Sequence, residues 1–467
     1  MMKRRKFLQY SLSGVAAANM PFMMSASVLG ANDRLRIGVI GVGGMGQNHV
    51  QEYNALHNVE VAAICDVDEN RISEVVQKHF VGKGLKKPRT YVDLRKLLED
   101  KDIDAVSIVT PNHWHALAAV WAMQAGKHVS VEKPCCYNIF EGLKLLEAAN
   151  KYNVIVQDGA EQRSNPCAIS AAQFLHDGHL GEVYMAKGVC FKRRDTIGVY
   201  PDGPLAPGMT HPIGNFTKEY LSKVNYDLWL GPAPKRNFNP NRFHYNWHWN
   251  WDYGNGDMGN QGVHEMDVAR WGLGVELPTR ISAVGGHFMF TDDQQTPNDL
   301  IGIFEFPNPD GGGDKKKILQ FEVRHWYSNE DVQLSDKQSD STGYMRSSKN
   351  NIGNLFFGSK GYMVKNVDEW KTFMGTDGEP GMTGRGLGNH YQSFVDAIRA
   401  NDLSKLKGKI KDGVYSCIVM HLGNISYRLG RSLEFDPAKM RFVNDKEADA
   451  MMSREQYRAP FVFPDKV

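Results

Sequence analysis

Short apolar runs rich in β-branched residues alternate with helical stretches over the first third of the chain. The apolar runs predict buried strands at 36–40, 59–65, 105–109, 128–131 and 154–156. The stretches between them predict helices at 47–56, 91–98, 115–125 and 139–150. Strands that alternate with helices predict a parallel, doubly wound sheet.

The pattern changes after residue 158, where the regular alternation stops. Residues 300–306 and 318–323 alternate between apolar and polar positions on either side of a glycine-rich turn, which predicts an antiparallel hairpin. The other elements predicted here are a strand at 181–189, a long loop at 193–250, and helices at 168–176, 389–400 and 412–429. The second half is therefore predicted to be a separate α/β domain with a mixed sheet.

The first 31 residues have the layout of an export signal. Four basic residues at 3–6 precede Phe7 and Leu8, and small and apolar residues follow. This order predicts a twin-arginine signal, cleaved near Gly30 or Ala31, that delivers a folded protein to the periplasm. Polar residues interrupt the apolar run, which disfavours a membrane anchor. We therefore expect membrane contact only during export.

Composition narrows the class of protein. The 467 residues include 55 Lys and Arg against 53 Asp and Glu, a net charge of +2, which argues against a nucleic-acid binder. The hydrophobic share of 42% argues against large-scale disorder. Six cysteines without a CxxC spacing argue against a disulfide scaffold and against a zinc ribbon or finger.

A glycine-rich turn follows the first predicted strand. Gly41, Gly43 and Gly46 form a GxGxxG pattern, with Gly44 and Met45 between the last two. Gly41 allows the tight turn, Gly43 lets a pyrophosphate approach the backbone, and Gly46 lets the helix pack closely on the strand. The alternative is a structural glycine turn without a ligand. The flanking strand and helix favour a dinucleotide site.

An acidic residue at the end of the second strand bears on which dinucleotide binds. Asp66 lies 20 residues after Gly46, the spacing expected for the carboxylate that bonds the adenosine ribose. A carboxylate there repels a 2′-phosphate, which predicts NAD. Arg71 follows about one helical turn later and could accommodate that phosphate, so NADP remains possible.

Two polar clusters follow later strands of the same sheet. They are Thr110-Pro111-Asn112-His113-Trp114-His115 and Glu132-Lys133-Pro134. Ligands of such sheets bind at the carboxyl ends of strands, where both clusters are predicted to lie. Pro134 restricts Lys133 to extended geometry, which would aim its amine for proton transfer. The alternative is a surface lysine paired with Glu132.

Aromatic rings and amides crowd residues 246–267. The rings of Trp247, Trp249 and Tyr253 could pack on the apolar faces of a sugar, and amides could bond its hydroxyls. A helix is predicted to begin near Asn260, which would put Asn260 and His264 on one face. His264 is then either structural or a proton-transfer group. No HxH or HxxxH pair accompanies His264, so we expect no metal there.

These motifs, in this order, resemble the Gfo/Idh/MocA family, which contains glucose–fructose oxidoreductase and inositol dehydrogenase. The motifs are the glycine turn, Asp66, the Thr110–His115 cluster, Glu132-Lys133-Pro134 and Asn260-x-x-x-His264. The resemblance implies an α/β protein with a Rossmann domain at 32–157, and a C-terminal α/β domain at 158–467 whose open mixed or antiparallel sheet carries the substrate site. It also implies a homo-oligomer, a dimer or tetramer.

The resemblance assigns roles to residues of this chain. Lys133 and His264 would be catalytic, with Asn260 at a position where many members carry Asp; an amide can orient a group but cannot take a proton. Substrate contacts would come from Asn260, His115, Trp247, Trp249 and Tyr253. NAD contacts would come from Gly41, Gly43, Gly44, Met45, Gly46, Asp66, Arg71, Thr110, Pro111, Asn112, His115, Glu132 and Lys133.

The resulting expectation is an NAD-dependent enzyme that oxidises or reduces a hydroxyl of a sugar, glycoside or polyol. Because the periplasm offers little free cofactor, the NAD is expected to stay bound. One alternative is a glycosidase that uses bound NAD for transient oxidation and elimination; that branch typically lacks the Glu-Lys-Pro lysine and has its His in a Tyr-Pro-Thr-His setting. The other is a non-catalytic dinucleotide sensor.

Overall fold

The computed structural model describes residues 34–308, 315–325 and 350–467, which form two β-sheets with helices packed against them. The export signal predicted at 1–31 lies outside the described residues. Within the described residues, no helix is both long and apolar enough to cross a membrane.

The first sheet has six parallel strands in the order β3-β2-β1-β4-β5-β6. Its strands are β1 Leu35–Ile40, β2 Val59–Cys65, β3 Arg89–Tyr91, β4 Ala105–Ile108, β5 His128–Val131 and β6 Val156–Asp158. The connecting helices are α1 Gly44–Ala55, α2 Glu69–Val75, α3 Leu94–Leu98, α4 Asn112–Gln124 and α5 Ile139–Lys151. The predicted Rossmann-type sheet is confirmed.

Two predicted helices of this domain have different bounds. Tyr91 was predicted to be helical, but it ends β3, where it pairs with Cys65 of β2. The following helix begins only after Asp93, whose side chain caps it by accepting from the Arg95 amide at 2.9 Å. Helix α4 begins at Asn112, directly after Pro111, so the polar cluster predicted to precede the helix forms its first turn.

The second sheet has ten strands in the order β14-β13-β12-β11-β7-β10-β9-β8-β15-β16. Its strands are β7 Val183–Lys192, β8 Arg280–Gly286, β9 Asp299–Pro307, β10 Lys316–Arg324, β11 Asn350–Gly358, β12 Gly361–Lys365, β13 Glu369–Met374, β14 Glu379–Arg385, β15 Leu433–Asp436 and β16 Arg441–Phe442. Strands β7 and β10 are parallel and the other pairs antiparallel. The predicted mixed sheet and its β9–β10 hairpin are confirmed.

Helices α6, α10 and α12 pack on one face of the second sheet. The helices of this half are α6 Pro166–His176, α7 Lys218–Leu221, α8 Tyr226–Leu230, α9 Gly256–Asn260, α10 Gly262–Leu273, α11 His390–Ala400, α12 Ile410–Leu429 and α13 Lys446–Ala450. The segment predicted to consist of long loops, 193 to about 250, also contains two of these short helices and an aromatic cluster around Phe216, Trp229 and Phe243.

Helix α11 belongs to the C-terminal half of the sequence but packs against the first sheet. It comes late in the sequence, yet Phe394, Val395 and Ile398 pack with the apolar residues of β1 and β2 in one buried cluster. The C-terminal half of the chain thus supplies part of the core that supports the first sheet.

The glycine turn between β1 and α1 is built for close backbone contact. Gly41 has φ of +87°, a conformation that side chains disfavour. A Cβ at Gly46 would lie 2.0 Å from the carbonyl oxygen of Gly41, whereas a Cβ at Gly44 would meet nothing within 4 Å. The turn therefore requires glycine at 46 for packing but not at 44.

This contrast gives a matched pair of substitutions. We expect Gly46→Ala to lower the free energy of unfolding by about 1–3 kcal/mol, because backbone must move to make room. We expect Gly44→Ala to change it by less than about 0.5 kcal/mol. Urea denaturation of both variants measures the difference, and equal stabilities would contradict the close packing of helix α1 on the turn at Gly46.

Candidate functional site

A cavity of about 580 Å³ lies at the carboxyl ends of the first sheet's strands and reaches residues of α9 and α10. It is lined by every residue predicted to contact the dinucleotide, together with His264, Asn260 and Trp247. This volume lies within the range of cofactor and ligand pockets. Residues far apart in sequence thus meet around one cavity.

The glycine turn forms one end of the cavity and fits the phosphates of a dinucleotide. Gly43 and Gly44 line it, and the space where their Cβ atoms would lie is open. Helix α1 begins here with no side chain capping its first amides. Free amides at the positive end of a twelve-residue helix favour a pyrophosphate.

Asp66 and Arg71 line the same end. The Asp66 carboxylate accepts from the Val42 amide at 2.8 Å and from the Asp68 amide at 3.0 Å, which fixes its orientation. Burial raises the pKa of Asp66, and these two amides oppose that shift. Arg71 donates from one terminal nitrogen to Glu74 at 2.9 Å, while its buried Nε has no partner among the described residues.

Lys133 lies toward the other end, where it meets the second half of the chain. Its Nζ donates to the backbone oxygen of Asn260 at 2.7 Å and lies 3.4 Å from the Asn260 Oδ1. Burial lowers the pKa of Lys133, although the nearby Glu132 acts in the opposite direction. Lys133 is therefore not a surface lysine whose amine pairs with Glu132, because its amine bonds Asn260 instead.

The prediction of one helix through Asn260 and His264 is wrong. Helix α9 ends at Asn260 and α10 begins at Gly262, and the His264 amide bonds Gln261 at 3.0 Å rather than Asn260. The break releases the Asn260 carbonyl from the helical hydrogen-bond pattern, and Lys133 occupies it. The side-chain amide of Asn260 donates to Asp257 at 2.9 Å.

His264 lines the cavity and is electrically neutral at neutral pH. Burial lowers the pKa of His264 to about 3, and the positive charge of Lys133 adds to this shift. Its Nδ1 is buried without a hydrogen-bond partner among the described residues. A neutral imidazole beside an ammonium group can accept a proton from a hydroxyl.

Glu132 anchors the loop that carries Lys133. Its Oε1 lies 3.1 Å from His49 Nε2, and its Oε2 accepts from the Lys133 amide at 3.1 Å. Burial would raise the pKa of Glu132, but the hydrogen bond and charge of His49, and the charge of Lys133, lower it to about 2. The carboxylate is therefore ionised and holds the backbone at Lys133.

Two of the aromatic residues predicted to contact substrate do not line the cavity. Trp249 is 3% exposed and lies away from the cavity, packed on Arg194 at 4.6 Å. Tyr253 is fully buried in the aromatic cluster, with its ring centroid 4.8 Å from that of Trp229. Both rings are taken up by packing inside the protein, whereas Trp247 does line the cavity.

The Thr110–His115 cluster lines the cavity, but most of its polar side chains are already hydrogen-bonded within the protein. The ring nitrogens of His115 lie 2.8 Å from the Pro134 oxygen and 2.6 Å from the Thr110 oxygen, so backbone takes its hydrogen bonds. The Asn112 side chain donates to Asn255 at 3.1 Å. Thr110 keeps a buried hydroxyl with no partner among the described residues, which a bound ligand can satisfy.

Sequence reasoning missed several cavity residues. Tyr245, His248 and Glu161 line it, and His49 supports it through Glu132. Glu161 follows the last strand of the first sheet, so the rule that ligands lie at carboxyl ends of strands could have identified it. Tyr245 directly precedes the aromatic segment 246–267 and His248 lies within it, and no periodic pattern there distinguishes cavity-lining rings from core rings.

Curated relatives match part of the chain. A glycosyl hydrolase family 109 protein 1 of Shewanella sp. strain MR-4 is 34% identical over 170 residues, which cover 32% of this chain and 37% of that protein. The α-N-acetylgalactosaminidase of Shewanella oneidensis is 37% identical over 121 residues, covering 25% of this chain and 26% of that protein. The chain thus matches at most 37% of the length of these two relatives.

Solved structures match the fold over most of the chain. A levoglucosan dehydrogenase in complex with NADH and L-sorbose has a TM-score of 0.61 at 17% identity, covering 86% of this chain and 99% of that one. The WlbA dehydrogenase of Bordetella pertussis, in complex with NADH and UDP-GlcNAcA, has a TM-score of 0.58 at 16% identity, covering 86% and 99%. At these identities the likeness concerns the fold.

Two sequence models of one family match the two halves of the chain in order. The model described as "Oxidoreductase family, NAD-binding Rossmann fold" matches residues 35–160. The model described as "Oxidoreductase family, C-terminal alpha/beta domain" matches residues 215–287 and 386–463. Together they cover more than half of the chain, and both halves have the fold described above. The chain belongs to the Gfo/Idh/MocA oxidoreductase family, with an NAD-binding Rossmann domain at its N-terminal end.

Proposed function

We propose that this protein is an NAD-dependent oxidoreductase acting on a CH–OH group of a sugar, glycoside or polyol. The observation that carries the proposal is the cavity itself. Its glycine turn and Asp66 suit the dinucleotide, and the other end brings Lys133 and His264 together. Family membership and the sugar dehydrogenases among the structural neighbours support the same reaction class.

The chain's own groups handle the proton of the reacting hydroxyl. Bound NAD supplies the acceptor for the hydride that leaves the carbon. Lys133 is held by the Asn260 carbonyl, and its ammonium donates a hydrogen bond to the substrate oxygen. His264, neutral because of burial, takes the hydroxyl proton as the carbonyl forms, and returns it in the reverse direction.

The cofactor preference follows from the Asp66 end of the cavity. Its carboxylate is fixed by two backbone amides and would repel a 2′-phosphate. Arg71, the residue that left NADP open, is paired with Glu74. The Asp66 carboxylate thus favours NAD over NADP, whereas Arg71, whose Nε has no partner among the described residues, is the group that would hold a 2′-phosphate.

A second candidate function is glycoside cleavage through transient oxidation by bound NAD. The observation that favours it is the 34–37% identity to family 109 glycosyl hydrolases over the matched segments. The presence of Lys133 in Glu-Lys-Pro and of His264 in Asn-Gln-Gly-Val-His favours the dehydrogenase. The two reactions differ in product, a ketone in one and a released aglycone in the other.

We expect the nicotinamide absorbance of the purified protein to change on addition of one or more members of a panel of free sugars, polyols and glycosides. Lys133→Ala and His264→Ala should lower turnover by about 10²–10⁴, because the first removes the hydrogen-bond donor to the substrate oxygen and the second removes the group that takes the proton. Both variants should bind NAD nearly normally, which fluorescence titration measures. Asn260→Ala keeps the backbone carbonyl that holds Lys133 and should lower turnover less.

Three outcomes separate the possibilities. Release of the aglycone from nitrophenyl glycosides without net ketone formation would favour the glycosidase. Near-normal turnover of both Lys133→Ala and His264→Ala would refute the assigned roles. Cofactor binding with no reaction on any substrate would favour a dinucleotide sensor.

We also propose that the protein is exported folded by the twin-arginine route with NAD already bound. The basic start of the chain supports export, and the large cavity, with Tyr245 and Trp247 in its lining, supports retention. A periplasmic enzyme that released NADH at each turnover would stall. The bound nicotinamide is therefore recycled in place, by a second sugar or by reduction of the oxidised substrate.

We expect protein purified without added cofactor to release about one NAD(H) per chain on denaturation, because dissociation is slower than turnover. An enzymatic cycling assay specific for NAD or NADP measures the supernatant. A fusion of residues 1–31 to a reporter, with Arg4→Lys and Arg5→Lys as its control, measures export. A substoichiometric trace with dependence on added NAD⁺ would contradict retention, and NADP in the supernatant would contradict the cofactor preference.

We further propose that the outer face of the second sheet is a homo-oligomer interface. Val284, Ile303 and Ile318 lie on neighbouring strands on the face away from the helices, and all three are exposed. Adjacent exposed apolar side chains on a wide sheet favour burial against a second copy.

We expect light scattering to give the mass of a dimer or tetramer, and Ile303→Glu to lower it, because a charge would be buried in the interface. Val199→Glu, at an exposed apolar residue outside the sheet, is the control and should leave the mass unchanged. A wild-type protein with the mass of a single chain would contradict the interface.

A further inference from the structure

Three cysteines meet directly behind the loop that carries Lys133, and a histidine contacts one of them, Cys136. Cys135 and Cys136 follow Pro134 in the chain, while Cys417 and His421 lie one turn apart on α12. Two ligating atoms thus come from the Rossmann domain and two from the C-terminal half. We call these four residues the Cys3His cluster.

The sulphur atoms of the cluster lie at the spacing of metal ligands. All three lie within 4.8 Å of one another, and Cys135 Sγ is 3.7 Å from Cys417 Sγ. His421 Nε2 lies 3.8 Å from Cys136 Sγ. In a tetrahedral zinc site, Zn–S bonds of about 2.3 Å place the sulphurs about 3.8 Å apart. The Cys135–Cys417 distance is therefore that of one edge of the tetrahedron.

The three cysteines of the cluster are buried from solvent and form no disulfide with each other. All three cysteines are fully buried and free, and the 3.7 Å separation is far beyond a covalent S–S bond. Helix α5 has glycine where it passes Cys136; a Cβ at Gly142 would lie 3.0 Å from that sulphur. His421 also lines a second cavity of about 750 Å³, which none of the three cysteines lines.

We propose that Cys135, Cys136, Cys417 and His421 bind one Zn²⁺ ion in a structural Cys3His site. This ligand set and a closed tetrahedral geometry are typical of structural zinc. On binding, each thiol releases its proton to solvent and no group is oxidised or reduced. His421 Nε2 exchanges its 3.2 Å contact with the Cys136 carbonyl for a bond from its ring lone pair to the ion.

The site would tie the catalytic loop to the C-terminal half. Cys135 lies two residues after Lys133, and Cys417 and His421 lie within the twenty-residue helix α12. An ion bound by both segments therefore limits the movement of the Lys133 loop relative to α12. The alternative is that the three cysteines fill the core as small apolar side chains and bind no ion.

The test uses the full-length protein, expressed with zinc and freed of loosely bound metal by gel filtration. We expect elemental analysis to find about one zinc per chain, the stoichiometry of a closed site. Cys417→Ser and His421→Ala should each lower this content at least about fivefold, since each removes a ligand. Cys167→Ser, at a buried free cysteine on α6 outside the cluster, is the matched control and should retain the zinc.

A measurement on the wild-type protein keeps the test independent of whether the variants fold. Protein expressed in zinc-poor medium with Co²⁺ should show thiolate-to-cobalt charge transfer and the visible d–d bands of a tetrahedral site, which added Zn²⁺ abolishes. Absence of both zinc and cobalt bands from folded wild-type protein would overturn the proposal. So would zinc retained in full by folded Cys417→Ser. Neither readout depends on catalytic activity, so failure of the proposed oxidoreductase reaction leaves this result intact.

Discussion

The hydrogen bond from Lys133 Nζ to the Asn260 backbone oxygen is the contact on which the site depends. It joins the end of β5, in the parallel sheet, to the helix break between α9 and α10. A carbonyl inside a continuous helix is already bonded, so the break makes this acceptor available. The bond therefore couples the position of the lysine to the way the second half of the chain folds.

Burial controls the charges around this bond. Desolvation lowers the pKa of both Lys133 and His264. The positive charge of Lys133 lowers the pKa of His264 further. Burial alone would raise the pKa of Glu132, but His49 and Lys133 stabilise its charged form, so the pKa is lowered instead. The result is an ionised anchor, a constrained amine and a neutral imidazole around one cavity.

The same segment after β5 takes part in two arrangements. Glu132 and Lys133 face the cavity, and the next two cysteines after Pro134 face α12. Positioning of the lysine therefore depends on packing behind the loop as well as on groups inside the cavity. This is why the cysteine cluster has a physical connection to the site even though no cysteine of that cluster lines it.

The sequence by itself determined the two-sheet α/β fold and placed the glycine turn and Asp66 at one end of the cavity, because strand–helix alternation and glycine spacing are local patterns that chain geometry converts directly into position. Tertiary structure decided which aromatic rings reach the cavity, since Trp247 and Trp249 are equivalent by local pattern and differ only in what packs on them. It also decided the helix break at Gln261 and the meeting of Cys135 with Cys417. The Cys135–Cys417 contact joins residues far apart along the chain, whereas a spacing rule such as CxxC detects only residues that are close in sequence.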